Sequence, residues 1–297
     1  MTAIDNRFDN PPYDPEALAA FVREEFGIAV PDRRICPGHG SPLDYLARSF
    51  FGQEDLLIWA NRGGGKTYLA AVGTVLDALF HGPLTVLVLG GSFDQSDRLA
   101  AYIRDILTAR PDLVDGRMTR QRVRLVNGSE VRMLAQSQQA VRGQHVQRIR
   151  CDEVDLFDEE VWRAVQFSTR SLAAGGSAGH AVRGSIEVLS TLHRPGGLMQ
   201  RLVDASRGAD AAPPRGAPAP GLAPAGYGLV QWCLWEVIER CPPERSCRDC
   251  PLADDCRGLA RRGRGFFRID DAIAIKARSS RAAWEAEMLC LGAERDH

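Results

Sequence analysis

The stretch whose residue types and spacing carry chemistry most plainly is Ala60-Asn61-Arg62-Gly63-Gly64-Gly65-Lys66-Thr67. Successive glycines let the backbone turn with its N–H groups inward, a lysine follows them, and a hydroxyl follows the lysine. That order suits a polyphosphate. Main-chain N–H groups at a helix N-terminus cradle phosphate oxygens, the ammonium reaches the β- and γ-phosphates, and the threonine hydroxyl ligates Mg²⁺. Ala60 stands where the usual pattern has glycine, and a small residue meets the same need. Of the 37 basic residues only Lys66 and Lys276 are lysine. A planar guanidinium cannot replace a compact ammonium inside such a cradle, so a chain that uses arginine nearly everywhere keeps lysine where the chemistry requires it. The bland alternative is a glycine-rich strand-to-helix turn without a ligand.

A second group lies downstream. Asp152-Glu153 ends an apolar-leaning run containing Val146, Ile149 and Cys151. Beside a phosphate loop, the aspartate at such a strand end holds Mg²⁺ and the adjacent glutamate polarises the attacking water. Arg62, four residues before Lys66, is placed to stabilise the γ-phosphate as an arginine finger in cis; otherwise it is a loop arginine paired with a surface carboxylate. Ser190-Thr191 closes the run Ile186–Leu189, where hydroxyls beside the nucleotide sense the γ-phosphate and pass on its loss, or merely cap a loop. The expected catalytic set is therefore Glu153, Arg62 and Lys66. ATP is held by residues 60–67, Mg²⁺ by Thr67 and Asp152, and coupling falls to Ser190 and Thr191. Gln53 and Tyr45 are weak candidates for adenine contacts.

The third group is Cys241-x5-Cys247-x2-Cys250-x5-Cys256. Four thiolates so spaced can converge on one metal centre, either tetrahedral Zn²⁺ or an iron–sulfur cluster. The tail Cys250-Pro251-Leu252-x3-Cys256 resembles the [4Fe–4S] loop of the endonuclease III and adenine glycosylase repair family, although that family's first gap is one residue longer. This resemblance favours the cluster over Zn²⁺. Arg245, Arg248, Arg261, Arg262 and Arg264, with Phe266 and Phe267 interleaved, form a basic patch suited to DNA phosphates, or else a solvated basic face. Cys36, Cys151, Cys233 and Cys290 read as buried apolar residues.

These groups need elements to position them. Helical spacing is expected over 15–26 and 66–80, and again over 94–109 and 159–167. The apolar runs at 56–60 and 84–90, the second almost continuously apolar as a buried parallel strand should be, predict strands, as do the apolar-leaning run 146–151 and the stretch 186–189. Asn127-Gly128 between 122–126 and 130–134 predicts a hairpin. Strands alternating with helices argue a parallel α/β sheet with ligands at the strands' carboxyl ends. The Ala-, Pro- and Gly-rich stretch 208–226 reads as a linker. After it come a strand-like run at 229–237, the cysteine loop, and two helices near 269–277 and 281–289. The expected organisation is a lead-in over 1–34, a P-loop core over 35–207, the linker, and a four-cysteine module over 227–297.

A length of 297 residues, 44% hydrophobic and 25% charged, is ordinary for a globular protein. With a net charge of −1, any nucleic-acid surface must be local. No apolar run is long enough to span a membrane, and the first residues do not read as a signal peptide. The chain is therefore expected in the cytoplasm with no membrane partner, and cysteines there point to metal or thiol chemistry rather than disulfides.

The ordered set Arg62–Thr67, Asn127-Gly128-Ser129, Val141-Arg142-Gly143, Asp152-Glu153-Val154-Asp155 and Ser190-Thr191 resembles the ATPase half of phage terminase large subunits. The lead-in Pro37-Gly38-His39-Gly40-Ser41-Pro42-Leu43-Asp44 and the tail Trp284-Glu285-Ala286-Glu287 resemble it too. The resemblance implies a RecA-like, additional-strand ATPase that couples ATP hydrolysis to movement of double-stranded DNA. It also implies a homo-oligomeric ring on a portal or procapsid, with a small terminase subunit as partner. It assigns Arg62 to the γ-phosphate, Glu153 to catalysis and Ser190-Thr191 to coupling. Terminase large subunits usually carry a nuclease beyond this half; here the chain reaches His297 where that domain would begin, so either the chain is truncated or the nuclease is a separate domain or chain, and DNA cleavage by this chain is not expected. A DNA-repair or helicase-like ATPase with an iron–sulfur module is the alternative. A small-molecule kinase or GTPase lacks support, because no Asn-Lys-x-Asp stretch exists and neither would explain Asp152-Glu153 beside an arginine-rich module.

Overall fold

The computed structural model describes residues 10–91, 93–134, 141–173, 181–192, 196–208 and 226–292. Most of the expected linker, and His193 to Pro195, lie outside the described residues. The runs predicted as strands form one seven-stranded sheet in the order β3-β4-β2-β5-β6-β1-β7. The strands are β1 (Leu56–Ala60), β2 (Thr85–Gly90), β3 (Arg122–Arg124), β4 (Glu130–Leu134), β5 (Arg148–Asp152), β6 (Ser185–Ser190) and β7 (Gly228–Trp232). Among the described residues, the pairings between these seven strands are parallel except β3–β4. It is the expected hairpin, closed through Leu125 N–H to Ser129 O with Gly128 at φ 88°. β6 lies between β1 and β5, so a strand separates the phosphate loop from the acidic pair, as the additional-strand arrangement requires.

Strands β1 and β2 are apolar on both faces because both faces are covered. In β1, Leu56, Ile58 and Ala60 enter one core while Leu57 and Trp59 enter the other, and in β2 Val86 and Val88 are opposed to Leu87 and Leu89. The period of two that sorts them is the strand's own. Helices α1 (Pro15–Phe26), α2 (Pro42–Ala47), α3 (Lys66–Phe80) and α4 (Phe93–Thr108) cover the first face. Helices Glu159–Gln166 and Leu198–Gly208 and the residues after β7 cover the second. Among the described residues, no helix is long and apolar enough to cross a membrane.

Three elements depart from expectation. α2, capped by Ser41 and Asp44, is too short to show a helical period. Leu198–Gly208 carries Leu198, Met199, Leu202 and Val203 on its buried face, a spacing that would have revealed it. The strand-like run 229–237 breaks after Trp232, where Cys233 caps a single helical turn, Leu234–Val237. Because β7 pairs with β1 along its whole length, the sheet extends past residue 227, where the second unit is expected to begin.

β5 also carries buried charge. Arg150 bonds Asp77 Oδ2 of α3 at 2.7 Å and both Glu187 carboxylate oxygens of β6 at 3.1 Å. Tyr45 and Ser49 hydroxyls complete Glu187 at 2.8 and 2.6 Å, and His81 Nδ1 meets Asp77 at 2.8 Å. Burial alone pushes the Asp77 carboxyl up, but the Arg148 and Arg150 guanidinium groups outweigh it and hold it well below the usual carboxylate range. This polar network pins α3 to β5 and β6, the strands that present the acidic pair and the Ser-Thr pair.

Candidate nucleotide site

Parallel strands align their carboxyl ends, and the register does so here: Trp59 lies beside Ser190, and Asp152 beside Leu189. The loop after β1, the acidic pair after β5 and the hydroxyls after β6 therefore meet at one edge of the sheet. Gly63 (φ 72°) and Gly65 (φ 82°) take the left-handed conformation that glycine allows without strain. A Cβ on Gly64 would stand 2.3 Å from Asn61 Oδ1, so the loop closes only on glycine. Gly65 caps α3 without a side-chain hydrogen bond, which leaves first-turn N–H groups for an anion.

The side chains converge as their types require. Lys66 Nζ lies 2.9 Å from Glu153 Oε1, and Ser190 Oγ donates to Glu153 Oε2 at 3.2 Å. Thr67 Oγ1 donates to Asp152 Oδ2 at 2.9 Å. Asp152 Oδ1 is buried with no hydrogen-bond partner among the described residues. Burial, reinforced by the Glu153 charge and opposed by Lys66 and Thr67, pushes the Asp152 carboxyl up to about 6. A hydroxyl beside a carboxylate oxygen left without a partner is an oxygen donor set that fits Mg²⁺. Glu153 adopts φ 55°, ψ 51°, a left-handed conformation costly for a residue with a Cβ. That turn swings its carboxylate from the end of β5 onto Lys66.

Arg62 lies in the loop, but its guanidinium pairs with Glu287 of helix Arg281–Glu287, and its N–H bonds Glu287 O at 2.8 Å. The expected finger is thus tied to the C-terminal tail. Thr191 and the loop line a cavity of about 970 Å³, together with Ile28–Pro31, Tyr68, Tyr102 and Phe266. Neither suggested adenine contact lines it. Tyr45 is fully buried on Glu187, and Gln53 accepts from Arg183 N–H.

Sequence reasoning misses two supports of the loop. Trp232 of β7 donates its indole N–H to Gly64 O at 3.0 Å. Phe267 lies so close to Gly63 that a Cβ there would meet it at 2.9 Å, and a Cβ on Gly65 would meet Phe266 at 3.2 Å. Of these two residues, both expected within a basic patch, Phe266 lines the cavity and Phe267 packs on the loop.

Comparison with solved structures finds the same architecture. The chain aligns over 94% of its length with the ATPase domain of the Thermus phage P74-26 large terminase, covering 98% of that chain at a TM-score of 0.54 and 13% identity. A mutant form of that domain aligns over 96% of this chain and 100% of its own, at 0.56 and 12%. The large terminase of bacteriophage HK97 aligns over 91% of this chain at 0.51 and 16%, and the alignment spans 55% of the HK97 protein. The fold is that of a phage large-terminase ATPase domain. Comparison with protein-family models and with curated proteins finds no match.

Beyond the loop, the four cysteines Cys241, Cys247, Cys250 and Cys256 line one cavity of about 220 Å³. Ala260 N–H points at Cys256 Sγ (3.5 Å) and Arg261 at Cys247 Sγ (3.8 Å), the donors a thiolate sulfur would use. The expected DNA arginines separate. Arg245 is spent on Asp270 at 2.6 Å. Arg248 is exposed and is not among the residues lining the basic cleft. Arg261, Arg262 and Arg264 gather instead with Arg33, Arg34 and Arg240 around a cleft of about 310 Å³. Two of those six arginines, Arg33 and Arg34, come from the lead-in, which the sequence pattern does not connect with the patch.

Proposed function

We infer that this chain is an ATPase of the large-terminase type, and that its hydrolysis of ATP drives double-stranded DNA through an oligomeric ring. The observation that carries the reading is the convergence of Lys66, Thr67, Asp152, Glu153 and Ser190 from three strand ends onto one glycine loop. In the ATP complex the N–H groups of Gly63 to Thr67 and the Lys66 ammonium hold the β- and γ-phosphates. Thr67 and Asp152 would hold Mg²⁺, which supplies positive charge to the same phosphates when bound. Lys66 then exchanges Glu153 for the phosphate, freeing that carboxylate to accept a proton from the attacking water. Arg62 reaches the γ-phosphate once it releases Glu287, which ties the finger to the position of the C-terminal helix. Loss of the γ-phosphate is felt by Ser190 through Glu153 and by Thr191 through the cavity, a route from hydrolysis to movement of β6.

The basic cleft around Arg33, Arg34, Arg240, Arg261, Arg262 and Arg264 suits a phosphate backbone. The resemblance adds a portal or procapsid, a small subunit and a homo-oligomeric ring. The four-cysteine site holds an iron–sulfur cluster or Zn²⁺. The resemblance of the loop Cys250–Cys256 to the endonuclease III type favours the cluster.

Steady-state ATPase activity of the purified chain, with and without double-stranded DNA, tests the reading. Turnover that rises with DNA and disappears in Lys66→Ala supports it; turnover that survives Lys66→Ala refutes it. Cys247→Ser is expected to remove the metal of the four-cysteine site and loosen residues 228–290. Because Phe266 and Phe267 abut the loop, nucleotide affinity should also weaken several-fold. Elemental analysis and nucleotide titration read both, and unchanged metal content sinks the four-cysteine assignment.

A further inference from the structure

Cys233 lies in the second core with Cys36 packed against it, as expected, but the two also face polar partners. Cys36 precedes α2 and Cys233 follows β7, 197 residues apart in the chain, yet their sulfurs stand 3.7 Å apart. Each opens a tight four-residue turn. Cys36-Pro37-Gly38-His39 is closed by His39 N–H on Cys36 O at 3.2 Å, with Gly38 at φ 75°. Cys233-Leu234-Trp235-Glu236 is closed by Glu236 N–H on Cys233 O, also at 3.2 Å. The two turns face each other, and both sulfurs, a His39 ring nitrogen and a Glu236 carboxylate oxygen all lie within 4.8 Å of one another.

We propose that Cys36, His39, Cys233 and Glu236 bind one structural Zn²⁺ ion. Two thiolates at about 2.3 Å on a tetrahedral ion stand about 3.8 Å apart, against the 3.7 Å found. Nitrogen and oxygen ligands at about 2.1 Å stand about 3.4 Å apart, against 3.1 Å for His39 Nδ1 and Glu236 Oε2. Two soft sulfurs with one imidazole and one carboxylate suit Zn²⁺ rather than Mg²⁺ or Ca²⁺, and four protein ligands make a closed, structural site. The outer shell is largely built. Ile35 and Cys36 N–H groups donate to Glu236 Oε1 and Cys233 N–H donates to Oε2, which fixes the carboxylate and leaves Oε2 facing His39.

One partner must turn. His39 Nε2 lies 3.1 Å from Gln231 Nε2, whose amide also donates to Cys290 O and accepts from Arg207. Ligation through Nδ1 places the ring proton on Nε2, so Gln231 swings its carbonyl oxygen to receive it, the outer-shell bond that metal-bound histidines use. Cys233 directly follows Trp232, whose indole holds Gly64. The ion therefore clamps the end of β7 against the phosphate loop, separately from the four-cysteine cavity.

Co²⁺ titration of the full-length protein tests this, comparing the wild type with Cys36→Ser, which leaves the four-cysteine loop unaltered. The wild type should bind one equivalent of Co²⁺ more than Cys36→Ser, with thiolate charge-transfer absorption that the variant lacks. Equal binding by the wild type and a folded Cys36→Ser chain overturns the assignment. If Cys36→Ser does not fold, Glu236→Gln decides instead. It keeps an oxygen for the Ile35 and Cys36 N–H groups but loses the anionic ligand, so affinity should fall about tenfold or more; unchanged affinity overturns the site.

Discussion

Glu153→Gln is expected to lower the turnover number for ATP by about 10²–10⁴-fold, the range that loss of a positioned general base produces. ATP affinity should hold or rise. The amide keeps the size of the side chain and can still accept from Ser190, but it no longer carries the charge that pairs with Lys66 at 2.9 Å. Lys66 is then released to the phosphates before any water is activated. Single-turnover hydrolysis beside equilibrium nucleotide binding separates the effects. Retained turnover would remove Glu153 from the chemistry, whereas lost binding would show that its charge serves to hold the loop.

Asp77→Asn should cost about 3–5 kcal/mol of stability, because it leaves Arg150 and Arg148 buried beside a neutral amide. Arg150 would keep Glu187 but lose its 2.7 Å partner on α3. The same carboxyl makes stability depend on acid. Its folded-state pKa is depressed, so its contribution is complete well above the unfolded value of about 4 and is lost as pH falls below that value toward the folded one. The wild-type urea midpoint should therefore fall on acidification below about pH 4, and the Asp77→Asn midpoint should fall less. A variant with an unchanged midpoint at pH 7 would show that the network contributes nothing net.

The basic cleft and the Arg62–Glu287 pair suggest how the parts communicate. The cleft joins residues after β7 to Arg33 and Arg34, and the segment after β7 also supplies Phe266 to the cavity, Phe267 to Gly63 and Glu287 to the loop arginine. A ligand that shifted this segment would move these contacts on the glycine loop together.

Local rules determined a great deal by themselves. The bounds of β1, α1 and α3 were legible because each rests on short-range causes: an apolar run, an Asp or glycine at the helix start, and a spacing that keeps one face buried. The glycine loop, Lys66, Thr67 and the Asp152-Glu153 pair were legible for the same reason, since backbone freedom and ligand chemistry are properties of adjacent residues. Only the tertiary structure decided what these residues touch. Arg148 and Arg150 lie in a strand that reads as apolar, and their burial is possible only because Asp77 and Glu187 arrive from α3 and β6. Trp232 on Gly64, Phe267 on Gly63 and Cys36 beside Cys233 join residues roughly 170 to 200 apart. No periodicity or propensity encodes such a meeting, because the free energy that favours it exists only once the sheet has brought the two segments to the same edge.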